Sequence, residues 1–310
     1  MPATNYWRPT MFRGRSYESR NSISDATIST RDRDNIKLFR GRSTESLSSS
    51  TKPKTTIYLR RSNSSKVNDE TATLQELIAD RQWQRAINLI RGKGRLAQKK
   101  FKVPAFMHEW KGEAEIYPIH QACSSPTVPL ELIDTLLFAY PDGINKTESN
   151  MKRNCLHIAV RAGVADEIIE YFLSEYPSLV YKSDEEGRIP LHYAISNGCS
   201  NEILRKMVSI CPRSICAPDV RGWTPMHVAV GRETDPDIIR FMVSACPEAV
   251  LLRTNAGSTL SKVMNLSPTS FSDLYSHIIT EAQCEISNSA SYKGYRRRTI
   301  KMIPISENYV

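Results

Sequence analysis

Between residues 113 and 284, large apolar side chains recur at helical spacing, in short blocks separated by breaks that contain Pro, Gly and Asp. Leu132, Ile133, Leu136 and Leu137 make the first stripe, and Ile168, Ile169, Phe172 and Leu173 the second. Ile203, Leu204, Met207 and Val208 make the third, and Ile238, Ile239, Phe241 and Met242 the fourth. Each predicts an amphipathic helix with one face to bury. A shorter helix is predicted ahead of each, opened in three cases by Pro118, Pro190 or Pro225, because proline in a first helical turn costs no hydrogen bond. Upstream, Thr73 and Glu76 form a capping-box signature before Leu74, Leu77 and Ile78. After the turn at Asp80-Arg81-Gln82, Trp83, Ala86, Ile87 and Ile90 recur until Gly92. That is a helical hairpin too small to stand alone, followed by a basic linker with Arg91, Lys93, Arg95, Lys99, Lys100 and Lys102.

The stripes belong to a repeat. His120, His157, His192 and His227 are 37, 35 and 35 residues apart, in the frames Pro118-Ile119-His120-Gln121-Ala122, Cys155-Leu156-His157-Ile158-Ala159, Pro190-Leu191-His192-Tyr193-Ala194 and Pro225-Met226-His227-Val228-Ala229. Tyr140-Pro141, Tyr176-Pro177, Cys211-Pro212 and Cys246-Pro247 follow in turn, and Gly187, Gly222 and Gly257 are 35 apart. These residues resemble the ankyrin repeat, most closely at Gly222-Trp223-Thr224-Pro225-Met226-His227-Val228-Ala229. The resemblance implies an all-α, ankyrin-like solenoid of helical hairpins over 113–284, with four clear units and a degenerate fifth as cap. It also implies that each His ties its turn to the start of its helix. Ser258-Thr259-Leu260-Ser261-Lys262 keeps the spacing but loses Pro and His, and the hairpin in 69–112 caps the other end. One regular departure stands out: where ankyrin repeats have Gly after the second helix, this chain has Tyr-Pro or Cys-Pro, which should reshape that helix end and the loop beyond it.

Composition adds a contrast between tail and body. Residues 1–66 hold 14 Lys/Arg and 5 Asp/Glu, a net charge of +9 equal to that of the whole 310-residue chain, so the remainder is neutral. With few large apolar residues, 1–68 reads as a disordered basic tail, and 285–310 is a second basic stretch with Arg296, Arg297 and Arg298 beside Tyr292 and Tyr295. The first 17 residues are basic and acid-free like a transit peptide but lack an amphipathic apolar face. Seven cysteines, an odd number without a Cys-x-x-Cys, point to a reducing compartment, cytoplasmic or nuclear. No apolar run is long enough to span a membrane, and no membrane association is expected.

Catalytic chemistry finds no foothold. Equivalent histidines in successive units cannot converge on one centre, because a solenoid sets them about 10 Å apart. Cys211, Cys216 and Cys199 or Cys246 lack a His at ligand spacing, and no nucleophile-elbow or phosphate-loop motif occurs, so no enzyme, metal, cofactor or small-molecule substrate is expected. The expected activity is binding another protein. In the family, the turn before the Thr-Pro-Leu-His frame and the end of the first helix face a concave groove. By position that implies Asn150, Met151, Arg153 and Arg161 in unit two, Glu185, Glu186, Arg188, Ser196 and Asn197 in unit three, and Val220, Arg221, Trp223 and Arg232 in unit four. Trp223 beside Arg221 has the chemistry of an interface anchor, or else packs on its neighbouring turn. In the tail, Phe12-Arg13-Gly14-Arg15-Ser16-Tyr17-Glu18-Ser19 recurs as Phe39-Arg40-Gly41-Arg42-Ser43-Thr44-Glu45-Ser46. Ser16, Ser43 and Ser64 each follow an Arg by three residues, a spacing similar to basophilic kinase sites, where phosphate would offset the basic charge. A rival partner is nucleic acid, held by the basic tails and the 91–102 cluster.

Overall fold

Apolar stripes become paired helices in the computed structural model, which describes residues 73–108, 112–266 and 271–288. Thr73 opens α1 (Leu74–Ala79) with a reciprocal capping box: its hydroxyl accepts the Glu76 N–H while the Glu76 carboxylate accepts the Thr73 N–H. α2 (Trp83–Gly92) folds back and buries Ala86, Ile87 and Ile90. Four helix pairs follow, α3 (Pro118–Cys123) with α4 (Leu130–Ala139), α5 (Cys155–Ala162) with α6 (Asp166–Glu175), α7 (Pro190–Asn197) with α8 (Asn201–Ile210), and α9 (Pro225–Gly231) with α10 (Pro236–Ala245). α11 (Leu260–Leu266) and α12 (Ser272–Asn288) close the array. The odd-numbered helices pack in one row, each on the next. In the second row α2 lies against α4, and α6, α8, α10 and α12 follow in succession. The core runs unbroken between the rows, with Ile133, Phe172, Leu204 and Ile239 buried in successive units. No single pair shelters both of its flanks, so stability comes from stacking.

Each repeat has a third part. Tyr140, Tyr176, Cys211 and Cys246 end their helices with φ between −135° and −149°, each N–H still bonded to the carbonyl four residues back. The prolines after them cannot continue a helix and push the preceding residue out of the helical region. They start five-residue 3₁₀ turns at Pro141–Asn145, Pro177–Tyr181, Pro212–Cys216 and Pro247–Leu251. Those turns bury Ile144, Leu179, Ile215 and Val250 and so extend the core.

Two local expectations change. The supposed linker holds a 3₁₀ turn (Gly94–Gln98) and a strand, β1 (Phe101–Pro104), which pairs antiparallel with β2 (Glu113–Ile116) at the start of the repeat region, Phe101 facing Ile116 and Pro104 facing Glu113. Ala114 and Ile116 point inward and Glu113 and Glu115 outward, as the pleat demands. In the fourth stripe Val243 takes a buried place, and Phe241 lies half-buried with the Arg205 guanidinium 4.9 Å from its ring centre. Residues 1–68, with Ser16, Ser43 and Ser64, and residues 289–310 lie outside the described part.

Candidate protein-binding face

The turn before each first helix is built around its histidine. Nδ1 of His120, His157, His192 and His227 accepts the backbone N–H three residues earlier, at Tyr117, Asn154, Ile189 and Thr224. Nε2 of the first three donates onward to the carbonyls of Lys146, Arg188 and Trp223, 3.1, 2.9 and 3.0 Å away, which stitches each unit to the next. Because Nε2 faces a carbonyl, it carries the proton and leaves Nδ1 to accept. Burial disfavours the charged ring and depresses His157, His192 and His227 to about 4.

A second set of bonds shapes the turn tips. One carboxylate oxygen of Asp184 accepts the N–H groups of Glu186 and Arg188, and one of Asp219 those of Arg221 and Trp223. Glu148 uses both carboxylate oxygens, Oε2 accepting the N–H of Asn150 and Oε1 those of Met151 and Arg153, in a turn one residue longer. Successive tips then bond through their backbones: Ser149 N–H to Glu115 O, Glu185 to Met151, Val220 to Glu186 and Asn255 to Arg221, at 2.8–3.1 Å. The hairpin strand β2 is thus the first member of the row of tips.

This geometry sorts the groove residues read from the sequence. Arg153, Arg188 and Trp223 all lie four residues before their histidine, and all three are buried, which removes them from the face. Arg153 Nε lies 3.8 Å from Asp184 and 3.3 Å from the Tyr193 hydroxyl, which itself donates to Asp184 at 2.6 Å. Arg188 Nε lies 3.5 Å from Asp219. Each arginine therefore meets the acid of the following turn. The following turn of unit four offers Thr254 in place of an acid, and there the chain carries Trp223, only 3% exposed and edge-on to His227. The anchor reading of Trp223 gives way to packing between turns.

What remains open is a strip. Asn150, Met151, Glu186 and Arg221 are half-buried, Glu185 is exposed, and Val220 is 58% exposed at the turn tips. Asn197 is exposed and Arg161, Ser196 and Arg232 half-buried at the ends of the first helices. Asn197 also donates to the Val160 carbonyl, and the Arg161 guanidinium lies 5.9 Å from the Tyr193 ring centre. Asn255, which the sequence reading left out, joins the strip as an exposed tip whose amide donates to the Val220 carbonyl. Its place in the 35-residue register was the signal for it.

One group has the makings of a nucleophile. A hydrogen bond from Cys123, aided by His120, lowers Cys155 to about 6. Cys123, Cys155 and His120 are each 0% exposed, so no substrate reaches them. Among the described residues no three His, Cys, Asp or Glu side chains gather as metal ligands, and no helix is long and apolar enough to cross a membrane.

Comparison with known proteins agrees with this architecture. The family model for ankyrin repeats, in three copies, matches residues 119–212. No curated protein matches the chain. A solved structure of a predatory endopeptidase from Bdellovibrio bacteriovorus in complex with an immunity protein contains a similar chain. It superposes with a TM-score of 0.50 at 14% identity, over 69% of this chain and 98% of that one, a likeness of fold.

Proposed function

Residues 119–212 being ankyrin repeats, a fold that mediates protein–protein interaction, we propose that the chain is a non-catalytic scaffold that grips a folded protein along the strip of turn tips and first-helix ends. One observation carries the reading. The positions shared between units (the histidines and the turn carboxylates) are buried, while the tips vary from unit to unit: Asn150, Glu185, Val220 and Asn255 at one position, Met151, Glu186, Arg221 and Ala256 at the next. A rigid backbone row with changing chemistry suits recognition of one particular surface, because little ordering entropy remains to oppose binding. Val220, an apolar side chain between Glu186 and Arg221, is the anchor of this strip, with Asn150, Met151, Arg161, Glu185, Ser196, Asn197 and Arg232 around it. The similar solved chain also belongs to a protein–protein complex, and the burial of Cys155 favours a role without catalysis. The basic tail, with Ser16, Ser43 and Ser64 as phosphorylation sites, tunes recruitment by losing positive charge.

The test is capture of partners by proximity labelling with wild type and Val220→Glu, with melting curves recorded for both. Loss of the principal partner at an unchanged midpoint supports the strip, on the scale of a roughly tenfold weaker complex. Equal capture by both proteins refutes it. A complex that instead collapses between low and physiological salt, and that survives V220E, belongs to the nucleic-acid reading.

A further inference from the structure

Three of the seven cysteines meet at the junction of units three and four. Cys211 ends α8, Cys216 ends the 3₁₀ turn that follows it, and Cys246 ends α10. The sulfurs of Cys216 and Cys246 are 2.9 Å apart, about 0.9 Å beyond a covalent S–S bond. Both side chains sit at the ends of helical elements fixed by the stacking of two units, so their approach is a property of the register. The position of Cys211 and Cys246 is held by Tyr140 and Tyr176 in the earlier units. The position of Cys216 is held by Asn145, Tyr181 and Leu251 in the others. A stack with one register therefore sets two thiols face to face at this junction and at none of its equivalents. Cys246 is 3% exposed, whereas Cys216 and Cys211 are half-buried, so a small reagent reaches the pair from the Cys216 side.

We propose that Cys216 and Cys246 are a cross-linking site, oxidised to a disulfide by a low-molecular-weight disulfide such as glutathione disulfide. The Cys216 thiolate attacks one sulfur of the reagent. The reagent's S–S bond breaks, and one glutathione leaves as a thiolate and takes up a proton. Cys246, losing its own proton, attacks the Cys216 sulfur and releases the second glutathione. Two protein thiols are oxidised to one disulfide, and one glutathione disulfide is reduced to two glutathiones. The bond closes the 29 residues between the two cysteines and ties unit three to unit four beside their 3₁₀ turns. The mutual hydrogen bond, then burial, raises the Cys216 thiol above its ordinary range, so the exchange is slow at neutral pH and quickens in mild alkali.

The experiment incubates the reduced full-length protein with glutathione disulfide, quenches with acid, and maps the unreduced tryptic peptides by mass. The expected product joins Ser214–Arg221 to Phe241–Arg253 and weighs less than the two free peptides by two hydrogen atoms. The oxidised protein should melt higher than the reduced one. Cys216→Ser should abolish both the linked peptide and the difference in melting, while Cys199→Ser should keep them. A stable glutathione adduct on Cys216 with Cys246 still free would overturn the proposal. So would a link from Cys246 to the Cys211 peptide, Met207–Arg213, or a linked peptide that survives in C216S.

Discussion

A single imidazole nitrogen decides how this protein meets acid. His157, His192 and His227 sit at about 4, held there by burial, and in each the unprotonated Nδ1 accepts the N–H that starts a helix. In the unfolded chain they titrate near the ordinary 6.5, so between those values the unfolded chain binds more protons and stability falls as pH falls. Between about pH 7 and pH 5 the loss is about 2 kcal/mol for each of the three. At His120 burial again opposes charge, but Cys155, the Lys146 carbonyl and Glu148 together outweigh it and lift the group above 6.5, so this ring works in the opposite direction and offsets a part. Denaturant midpoints across that range should fall with acid, and a flat profile would disprove the role given to the three rings. The turn tips carry a second residue-scale prediction. Gly222 has φ +78°, and a Cβ there would lie 2.5 Å from the Asn255 N and 2.6 Å from its Oδ1. Gly222→Ala should cost about 1–3 kcal/mol, whereas Lys152→Gly, at an equivalent tip where φ is +57°, should gain about 1 kcal/mol. Urea melts of the two variants should move in opposite directions.

Helices were legible in the sequence wherever spacing and punctuation agreed. The stripes of α4, α6 and α8, the capping box of α1 and the prolines opening α3, α7 and α9 all lie where the physical chemistry of the sequence put them. The hairpin β1–β2 was hidden because each strand is four residues long and the pair straddles the boundary at 112, with Lys102 of β1 in the basic run and β2 at the start of the repeats. Groove residues were read less well, since register gives a position in a turn and not the direction of a side chain. Arg153, Arg188 and Trp223 share one position, and all three turn inward together. The small residue two after the histidine is another element-scale constraint: Ala194 is 0% exposed where α7 meets its neighbours. Ala194→Leu should overpack that contact by about 1–3 kcal/mol, and an unchanged melting midpoint would show the register to be wrong.

Across the whole molecule, charge and packing divide the labour. All of the net +9 lies within 1–66, a segment with few large apolar residues to bury. Removing 1–66 should therefore leave the thermal midpoint nearly unchanged while altering salt-dependent association; a large drop would place part of the core in that segment. The pairing of each turn arginine with the next turn's acid also gives the units an order that cannot be shuffled. Excising residues 184–218 would bring Arg153 to face Asp219, another carboxylate, and leave the splice electrically sound. Excising 219–253 would set Arg188 against Thr254 and take away its Asp219 partner, leaving Asp184 and Glu186 as the acids near it. Shortening of this solenoid thus keeps an arginine–carboxylate pair at one splice and loses one at its neighbour, although the two units are the same length.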